Sequence, residues 1–356
     1  AIALLLGMFM TRKIAWLQKF CIPSPVSGGI VFSLLTLGIY KICGIEITFD
    51  GTLKDAFMLA FFTSVGFQSN PKVIRQGGKT LGLLLMLLVM IIVLQNAIPL
   101  GIAKLMHINP LIGMATGSIS MAGGHGTAGG FSAVLESMGL NSALTISMAA
   151  ATFGLIAGSV IGGPIAEHII RKKLTEEHLE PKDYVIDPAM AGIESDESTP
   201  AGHASHISDN EHEFQQYAKA TYSLLIVMAI GTVASKLLSL TGITFPTYFG
   251  ALIVAALVRS SAEMLHMGDK LEMDKIVSVG NICLSMFLGM AMISLKLWEL
   301  EQLAAPLLII LTTQVIVMAL LAWFVAFPLL GRDYDAAVLV AGVCGFGLGA
   351  TPNAMA

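Results

Sequence analysis

The sequence predicts an all-α polytopic membrane protein made of two repeats of about five spans, each with a glycine-rich re-entrant hairpin. Three observations support this fold class. Of the 356 residues, 55% are hydrophobic and only 12% are charged, whereas soluble proteins carry about 25% charged residues. Apolar runs of roughly 17–25 residues, the length that crosses a bilayer, recur along the chain. Two glycine-rich stretches interrupt this apolar sequence at matching places in the two halves.

The apolar runs place the spans of an N-terminal repeat, residues 1–170, at about 1–20, 25–43, 55–70, 80–106 and 141–170. They place the spans of a C-terminal repeat, residues 217–356, at about 218–240, 245–261, 276–296 and 303–331. The segment 171–216 between the repeats is rich in acidic residues and holds too few apolar ones to build a core. It is predicted to be a linker.

The glycine-rich hairpins are predicted at about 109–137 and 334–356. Glycine weakens a helix by about 1 kcal/mol per residue, and Pro352 interrupts one. Backbone opened at membrane depth persists only when it is buried in protein or lines a wet cavity. A duplicated, broken and polar segment therefore predicts a transport site.

Short identities relate the two halves. Pro25 and Gly29 match Pro246 and Gly250 at an offset of 221 residues, and Gly123 matches Gly347 at an offset of 224. Leu59 matches Leu284 at an offset of 225. The first hairpin is followed by the span 141–170, and the second has no such successor. We therefore expect one more span beyond Ala356, and we expect the first span to begin before Ala1.

The distribution of Lys and Arg predicts the orientation in the membrane. One face carries 15 of these residues and the other carries five. The basic face, which includes the linker, is predicted to be cytoplasmic; it comprises residues 11–24, 70–80, 171–219, 259–275 and 332. An odd number of spans in each repeat makes the repeats inverted, an arrangement typical of secondary transporters.

The hairpin tips offer backbone N–H groups and a few hydroxyls to a ligand. Glycines let a ligand approach the main chain closely, and helix ends beside a break carry partial charges that attract ions. The predicted substrate-binding residues are Ser120, Gly123, Gly124, His125, Gly126, Thr127, Gly347, Gly349 and Thr351. Three roles remain open for His125: a neutral hydrogen-bonding residue, a substrate contact or a proton carrier.

Amide side chains inside the membrane are the candidate ligands of a coupling cation. Gln95 and Asn96 lie within the fourth span, and Gln314 lies within its counterpart. Such groups need a polar partner in an apolar environment. Asn96, Gln314 and Asn353 are the predicted sodium ligands. Asp and Glu are absent from 81–135 and from 302–332, which favours sodium over proton coupling because proton relays use such carboxylates.

An enzyme is not expected. The sequence contains no nucleotide-binding P-loop, no Cys/His metal spacing and no convincing nucleophile constellation. No cofactor and no nucleic-acid partner are predicted. A membrane receptor that binds a ligand without moving it is the alternative from another functional class.

Several motifs in chain order resemble those of the bacterial sodium/glutamate symporter family. The most specific are Gly-Gly-His-Gly-Thr at 123–127 and Cys-Gly-Phe-Gly-Leu-Gly-Ala-Thr-Pro at 344–352. Ile-Pro-Ser-Pro-Val-Ser-Gly-Gly at 22–29 and Gln-Asn-Ala-Ile at 95–98 add to them. The resemblance covers nearly the whole chain apart from the linker.

The resemblance implies an inner-membrane carrier that imports L-glutamate with sodium by alternating access. It also implies a homodimer in which a fixed scaffold supports a moving transport domain, in an elevator-type cycle similar in plan to that of the 2-hydroxycarboxylate carriers. Two alternatives within the same fold stay open: another carboxylate, such as citrate or aspartate, and proton coupling through His125.

Overall fold

A computed structural model shows an all-helical chain and describes residues 2–19, 22–69, 78–173, 206–240, 245–265, 267 and 271–349. Six helices in this part are long and apolar enough to cross a membrane. The expectation of a polytopic α-helical membrane protein is therefore confirmed. Thr351, Asn353 and most of the predicted linker lie outside the described residues.

The N-terminal half contains eight helices in the described residues. They are α1 (Ile2–Lys13), α2 (Ala15–Lys19), α3 (Ser24–Cys43), α4 (Thr52–Phe67), α5 (Gly78–Leu105), α6 (Pro110–Ala115), α7 (Gly124–Ser137) and α8 (Ala143–Lys173). The predicted spans 25–43, 55–70, 80–106 and 141–170 correspond to α3, α4, α5 and α8. The predicted first span is divided into α1 and α2.

The C-terminal half begins with α9 (His206–Ser239), α10 (Phe249–Met264) and α11 (Met273–Ile293). A 3₁₀ helix, Leu297–Leu303, leads into α12 (Ala304–Leu321), a π-helical turn (Ala322–Ala326) and α13 (Phe327–Leu330). The last described helix is α14 (Tyr334–Gly349). Glycines 345, 347 and 349 belong to α14, so up to Gly349 the second glycine-rich segment is one helix and contains no break.

The helices form two bundles. The first bundle consists of α1, α3, α4, α9, α10 and α11, in which α4 packs against α10 and α11 and α3 packs against α1 and α11. Its core contains Phe67, Leu224 and Ile276, all buried. The second bundle consists of α5, α6, α8, α12 and α14, with α14 packed along α8. Its core includes Ile91 and Val340.

Each bundle takes helices from both halves of the chain. Helices α1, α3 and α4 of the first half meet α9, α10 and α11 of the second, and α5 and α8 meet α12 and α14. Helix α7 lies at the junction of the bundles, packed against α8 and α11. The outward faces of α5 and α9 are rich in exposed apolar side chains, among them Val89, Val93, Ile226 and Val233. A lipid environment suits these faces, whereas water does not.

Close packing of α1 on α3 depends on two glycines. A Cβ atom on Gly28 would collide with the carbonyl oxygen of Ala3, and one on Gly7 would collide with that of Ser24. We expect Gly28→Leu to separate the helices and cost about 1–3 kcal/mol of stability, measured as a lower thermal unfolding midpoint in detergent. Gly38 on the same helix faces open space, so Gly38→Leu should leave the midpoint nearly unchanged. Equal losses in the two variants would contradict this packing.

Candidate functional site

The first glycine-rich segment consists of two helices separated by a turn. Helix α6 begins where the Asn109 side chain accepts a hydrogen bond from the N–H of Leu111 at 3.0 Å, with Pro110 in the first turn. Residues 116–123 form the turn, and α7 then begins at Gly124. Gly124 has φ +64°, a left-handed backbone conformation that glycine adopts without steric cost. The glycine at this position therefore permits the change of direction into α7.

The N-terminus of α7 carries free hydrogen-bond donors. In the part of the chain that the structure describes, no acceptor is paired with the backbone N–H groups of His125 and Gly126, and the N–H of Thr127 is the first that the helix's own hydrogen bonds can use. Gly126 faces α4, where an added Cβ would lie 3.2 Å from the Phe61 ring. Unpaired N–H groups and the helix dipole make such an end attractive to an anion. A carboxylate is the kind of group that this end suits.

The hydroxyls predicted to bind substrate are already engaged as donors. Ser120 Oγ donates to the carbonyl oxygen of Ala115 at 2.5 Å, and Thr127 Oγ1 donates to that of Gly123 at 2.6 Å. A hydroxyl has one proton to donate and keeps its lone pairs. In this arrangement both hydroxyls can accept a hydrogen bond or contact a cation, and the backbone supplies the donors for an anion.

His125 is buried and tied to α8. Its Nε2 lies 3.0 Å from Thr152 Oγ1, and Thr152 donates its own proton to the carbonyl oxygen of Met148 at 2.8 Å. The threonine proton is thus used, so His125 Nε2 must be the donor in this pair. In the neutral imidazole, Nδ1 is left with a lone pair that can accept one hydrogen bond.

Asn96 connects α5 to the turn. Its amide donates to Ser118 Oγ at 2.9 Å, and its Oδ1 accepts from the backbone N–H of Ser118 at 3.3 Å. Gly117 makes this approach feasible, because an added Cβ would lie 2.7 Å from Asn96 Oδ1 and from the backbone oxygen of Gln95. The predicted sodium ligand Asn96 therefore holds the turn in place.

Two glutamines make reciprocal bonds to the glycine-rich segments. Gln95 on α5 donates to the carbonyl oxygen of Gly347 on α14. Gln314 on α12 donates to the carbonyl oxygen of Thr116 at 2.7 Å. Each half of the chain thus uses one buried amide to hold the glycine-rich segment of the other half.

The glycines of the second segment permit close packing. A Cβ on Gly347 would lie 2.7 Å from the Met318 methyl carbon of α12, and Gly349 is buried at the end of α14. The backbone of α14 also approaches α8 so closely that a Cβ on Gly154 would collide with the Leu348 oxygen. The structure brings Gly347 close to Gln95, and the predicted contacts of Thr351 and Asn353 lie outside the described residues.

A glycine-rich face of α7 meets aromatic side chains of the first bundle. A Cβ on Gly129 would collide with the Phe287 ring, and one on Gly130 would collide with the Tyr248 ring. Tyr248 stacks on Phe62 with ring centroids 3.7 Å apart. The junction between the bundles is therefore largely apolar at α7.

Charged groups gather at one end of the junction, outside the spans. Lys296 Nζ donates to Glu46 at 2.5 Å, which raises the pKa of the lysine above its usual range. Burial raises the pKa of the neighbouring Glu299 carboxyl. The backbone N–H of Lys296 donates to Thr145 Oγ1 of α8 at 3.3 Å, which connects the loop after α11 to the second bundle.

Three residues that make contacts at the candidate site were not among the predicted site residues. Thr152 pairs with His125, Phe61 forms the wall opposite Gly126, and Gln95 holds Gly347. Gln95 carried a signal in the sequence, since it is an amide within an apolar span. Phe61 and Thr152 lie in the stretches 59–62 and 151–155, which also resemble the family's motifs, but the residue types Phe and Thr by themselves indicate no ligand.

Comparison with known proteins gives one consistent family. The family model described as "Sodium/glutamate symporter" matches residues 1–356. The chain is 38% identical to the sodium/glutamate symporter of Escherichia coli (strain K12) over 357 aligned residues, covering 100% of this chain and 85% of that protein. It is 34% identical to the sodium/glutamate symporter of Haemophilus influenzae, with the same coverage. No solved structure matches the chain.

Proposed function

Because this chain belongs to the sodium/glutamate symporter family, we propose that it carries L-glutamate across the bacterial inner membrane together with sodium. The observation that carries this proposal is the match of the family model over residues 1–356. Sodium is the coupling ion, and the protein is a transporter, not an enzyme. The free N–H groups at the start of α7 supply the chemistry that a carboxylate substrate needs.

Glutamate binds, in this proposal, with one carboxylate at the N-terminus of α7. The N–H groups of His125 and Gly126 act as donors, and Gly126 leaves room beside Phe61. The oxygens of Ser120 and Thr127 face the ligand as acceptors, because their protons are used within the turn. The α-ammonium group of an amino acid is a suitable partner for such oxygens. Thr351, with Gly347 and Gly349, would complete the site from the second segment.

Sodium binds near the same turn, with Asn96, Gln314 and Asn353 as proposed side-chain ligands. Asn96 and Gln314 both contact the turn that follows α6, so an ion there would influence the position of the substrate donors. Glutamate carries one net negative charge. Two or more sodium ions per cycle are therefore needed before the membrane potential, about 2.3 kcal/mol per charge per 100 mV, assists uptake.

The two bundles act, in this proposal, as the scaffold and the transport domain of an elevator-type carrier. The first bundle is the scaffold and the site of homodimer contact, and the second carries the substrate. The glycine-rich face of α7 against Phe62, Tyr248 and Phe287 supports such motion, since it offers an apolar surface over which the second bundle slides. The exchange of helices between halves supports inverted repeats. Two re-entrant hairpins and a cytoplasmic linker, 171–216, belong to the same proposal.

His125 is proposed as a hydrogen-bonding residue and not as the coupling proton carrier. Its Nε2 proton is held by Thr152. We expect His125→Gln, which keeps a donor for Thr152, to retain sodium dependence and the wild-type pH profile of uptake while lowering glutamate affinity less than about tenfold. Loss of sodium dependence, or a flattened pH profile, would instead identify His125 as the coupling group.

The test of the proposed function is uptake of labelled L-glutamate into sealed vesicles that contain the protein. An inward sodium gradient should drive accumulation, and potassium in place of sodium should abolish it. Unlabelled citrate or aspartate at the same concentration should compete less well than L-glutamate. Sodium-driven uptake of another acid in preference to glutamate would reassign the substrate. Glutamate binding without accumulation would indicate a receptor.

A further inference from the structure

A small cavity between α5 and α12 brings the two buried glutamines together. It is lined by Gln95, Gln314, Met318 and aliphatic side chains, and it has room for little more than one ion or water molecule. The exposed fractions of Gln95 and Gln314 are 6% and 2%. Among the residues that the structure describes, the polar side chains that line this cavity are therefore two neutral amides that bulk water does not solvate.

The hydrogen bonds of the two glutamines fix the orientation of their amides. Each NH₂ group donates to a backbone carbonyl, that of Gly347 for Gln95 and that of Thr116 for Gln314. A flipped amide would place oxygen against oxygen, so each Oε1 must point away from its carbonyl. Both Oε1 atoms are buried and have no hydrogen-bond partner among the described residues. Each such unpaired atom costs about 1–3 kcal/mol.

A third oxygen of α5 is freed nearby. Pro99 lies inside α5 and has no N–H group, so the Gln95 carbonyl lacks its ordinary helical donor. Gly117 of the turn approaches this carbonyl, because an added Cβ would lie 2.7 Å from the oxygen. Gln95 thus presents oxygen from both its side chain and its backbone.

We propose that the cavity binds a sodium ion through Gln95 Oε1 and Gln314 Oε1, which makes Gln95 an ion ligand and pairs it with Gln314. The proposal rests on sodium as the coupling ion. Two of the residues that line the cavity each carry a buried side-chain oxygen without a partner among the described residues, and a small cation is the occupant that would satisfy both oxygens. Carbonyl-type oxygens at broken helices are the usual sodium ligands of secondary transporters.

Ion binding at this position acts on both glycine-rich segments at once. The amide that holds the ion by its oxygen holds Gly347 or Thr116 by its nitrogen. A bound cation polarises each amide and strengthens its hydrogen bond on the other side. Sodium therefore fixes the two segments before the substrate arrives, which gives a physical basis for coupling.

The test measures sodium-dependent thermal stabilisation of the purified full chain without glutamate, with choline as the replacement cation. Wild-type protein is expected to be stabilised by sodium. Gln95→Met and Gln314→Met keep the side-chain volume and lose the oxygen, and we expect at least about a tenfold rise in the sodium concentration for half-maximal stabilisation. Gln68, exposed at the end of α4, provides the control variant Gln68→Met, which should keep the wild-type value.

The variant Gln95→Glu shows whether Gln95 binds the ion or only holds Gly347 in place. The carboxylate keeps an oxygen toward the cavity and loses the donor to Gly347. We expect its half-maximal sodium concentration to stay close to the wild-type value, which also decides the question if a methionine variant fails to fold. Wild-type sodium affinity in both methionine variants, as expected for a cavity that holds only water, overturns the proposal. So does a Glu variant as impaired as Gln95→Met. Either result leaves sodium-driven uptake by the wild-type protein, and hence the proposed function, intact.

Discussion

Replacement of Gly124 by valine is expected to lower sodium-driven glutamate uptake at least tenfold, with the protein still present in the membrane. Gly124 has φ +64°, and a β-branched residue there costs at least about 1–2 kcal/mol. The backbone would relieve that strain by rotating the peptides that follow. Those peptides carry the free N–H groups of His125 and Gly126, so the proposed carboxylate site would lose its geometry. Initial rates of labelled uptake in vesicles measure the effect.

Gly139 offers a matched control at the other end of α7. It lies just beyond the C-terminal end of α7, has φ +104°, and faces open space. Gly139→Val should therefore introduce comparable backbone strain and leave most of the uptake intact. If the two variants lose uptake equally, the loss reflects destabilisation of α7, and the N-terminus of α7 is not the substrate site.

Asn96→Leu is expected to have the second large effect, a loss of about tenfold or more in apparent sodium affinity. Asn96 both donates to and accepts from Ser118. The substitution removes these bonds, each worth about 0.5–1.5 kcal/mol, and leaves the N–H of Ser118 without its acceptor. The turn 116–123 would then move relative to α5, and the proposed sodium site would lose the Asn96 oxygen. The sodium dependence of uptake at fixed glutamate gives the apparent affinity.

Asn281 provides the comparison for this variant. It lies on an exposed face of α11 in the first bundle, away from the turn. Asn281→Leu is expected to keep the wild-type sodium dependence. A sodium dependence of Asn96→Leu that matches the wild type would remove Asn96 from the proposed ion site.

The positions of most spans could be predicted from the sequence because each is a long apolar run between polar residues. Helices α3, α5 and α8 end within a few residues of the predicted boundaries. The break in the first glycine-rich segment was also predictable, because Asn109 and Pro110 begin one helix and Gly124 adopts a left-handed conformation before the next.

The helical state of residues 345–349 could not be predicted from local propensity. Glycines 345, 347 and 349 weaken an isolated helix, and in the structure they let α14 pack closely against α8 and α12. Tertiary packing outweighs local preference here. The bonds from Gln95 to Gly347 and from Gln314 to Thr116 join residues 252 and 198 positions apart. No local sequence pattern predicts such pairs, although the sequence does show Gln95 and Gln314 as amide side chains within apolar spans.

The most direct test of the account is to dissipate one ion gradient at a time while vesicles accumulate labelled L-glutamate. A sodium ionophore should release the accumulated glutamate, whereas a protonophore at constant membrane potential should not. Gly139→Val should respond to the two ionophores as the wild-type protein does. Gly124→Val should accumulate too little glutamate for either response to be seen. Release by the protonophore and retention in the presence of the sodium ionophore would contradict sodium coupling and, with it, the central claim.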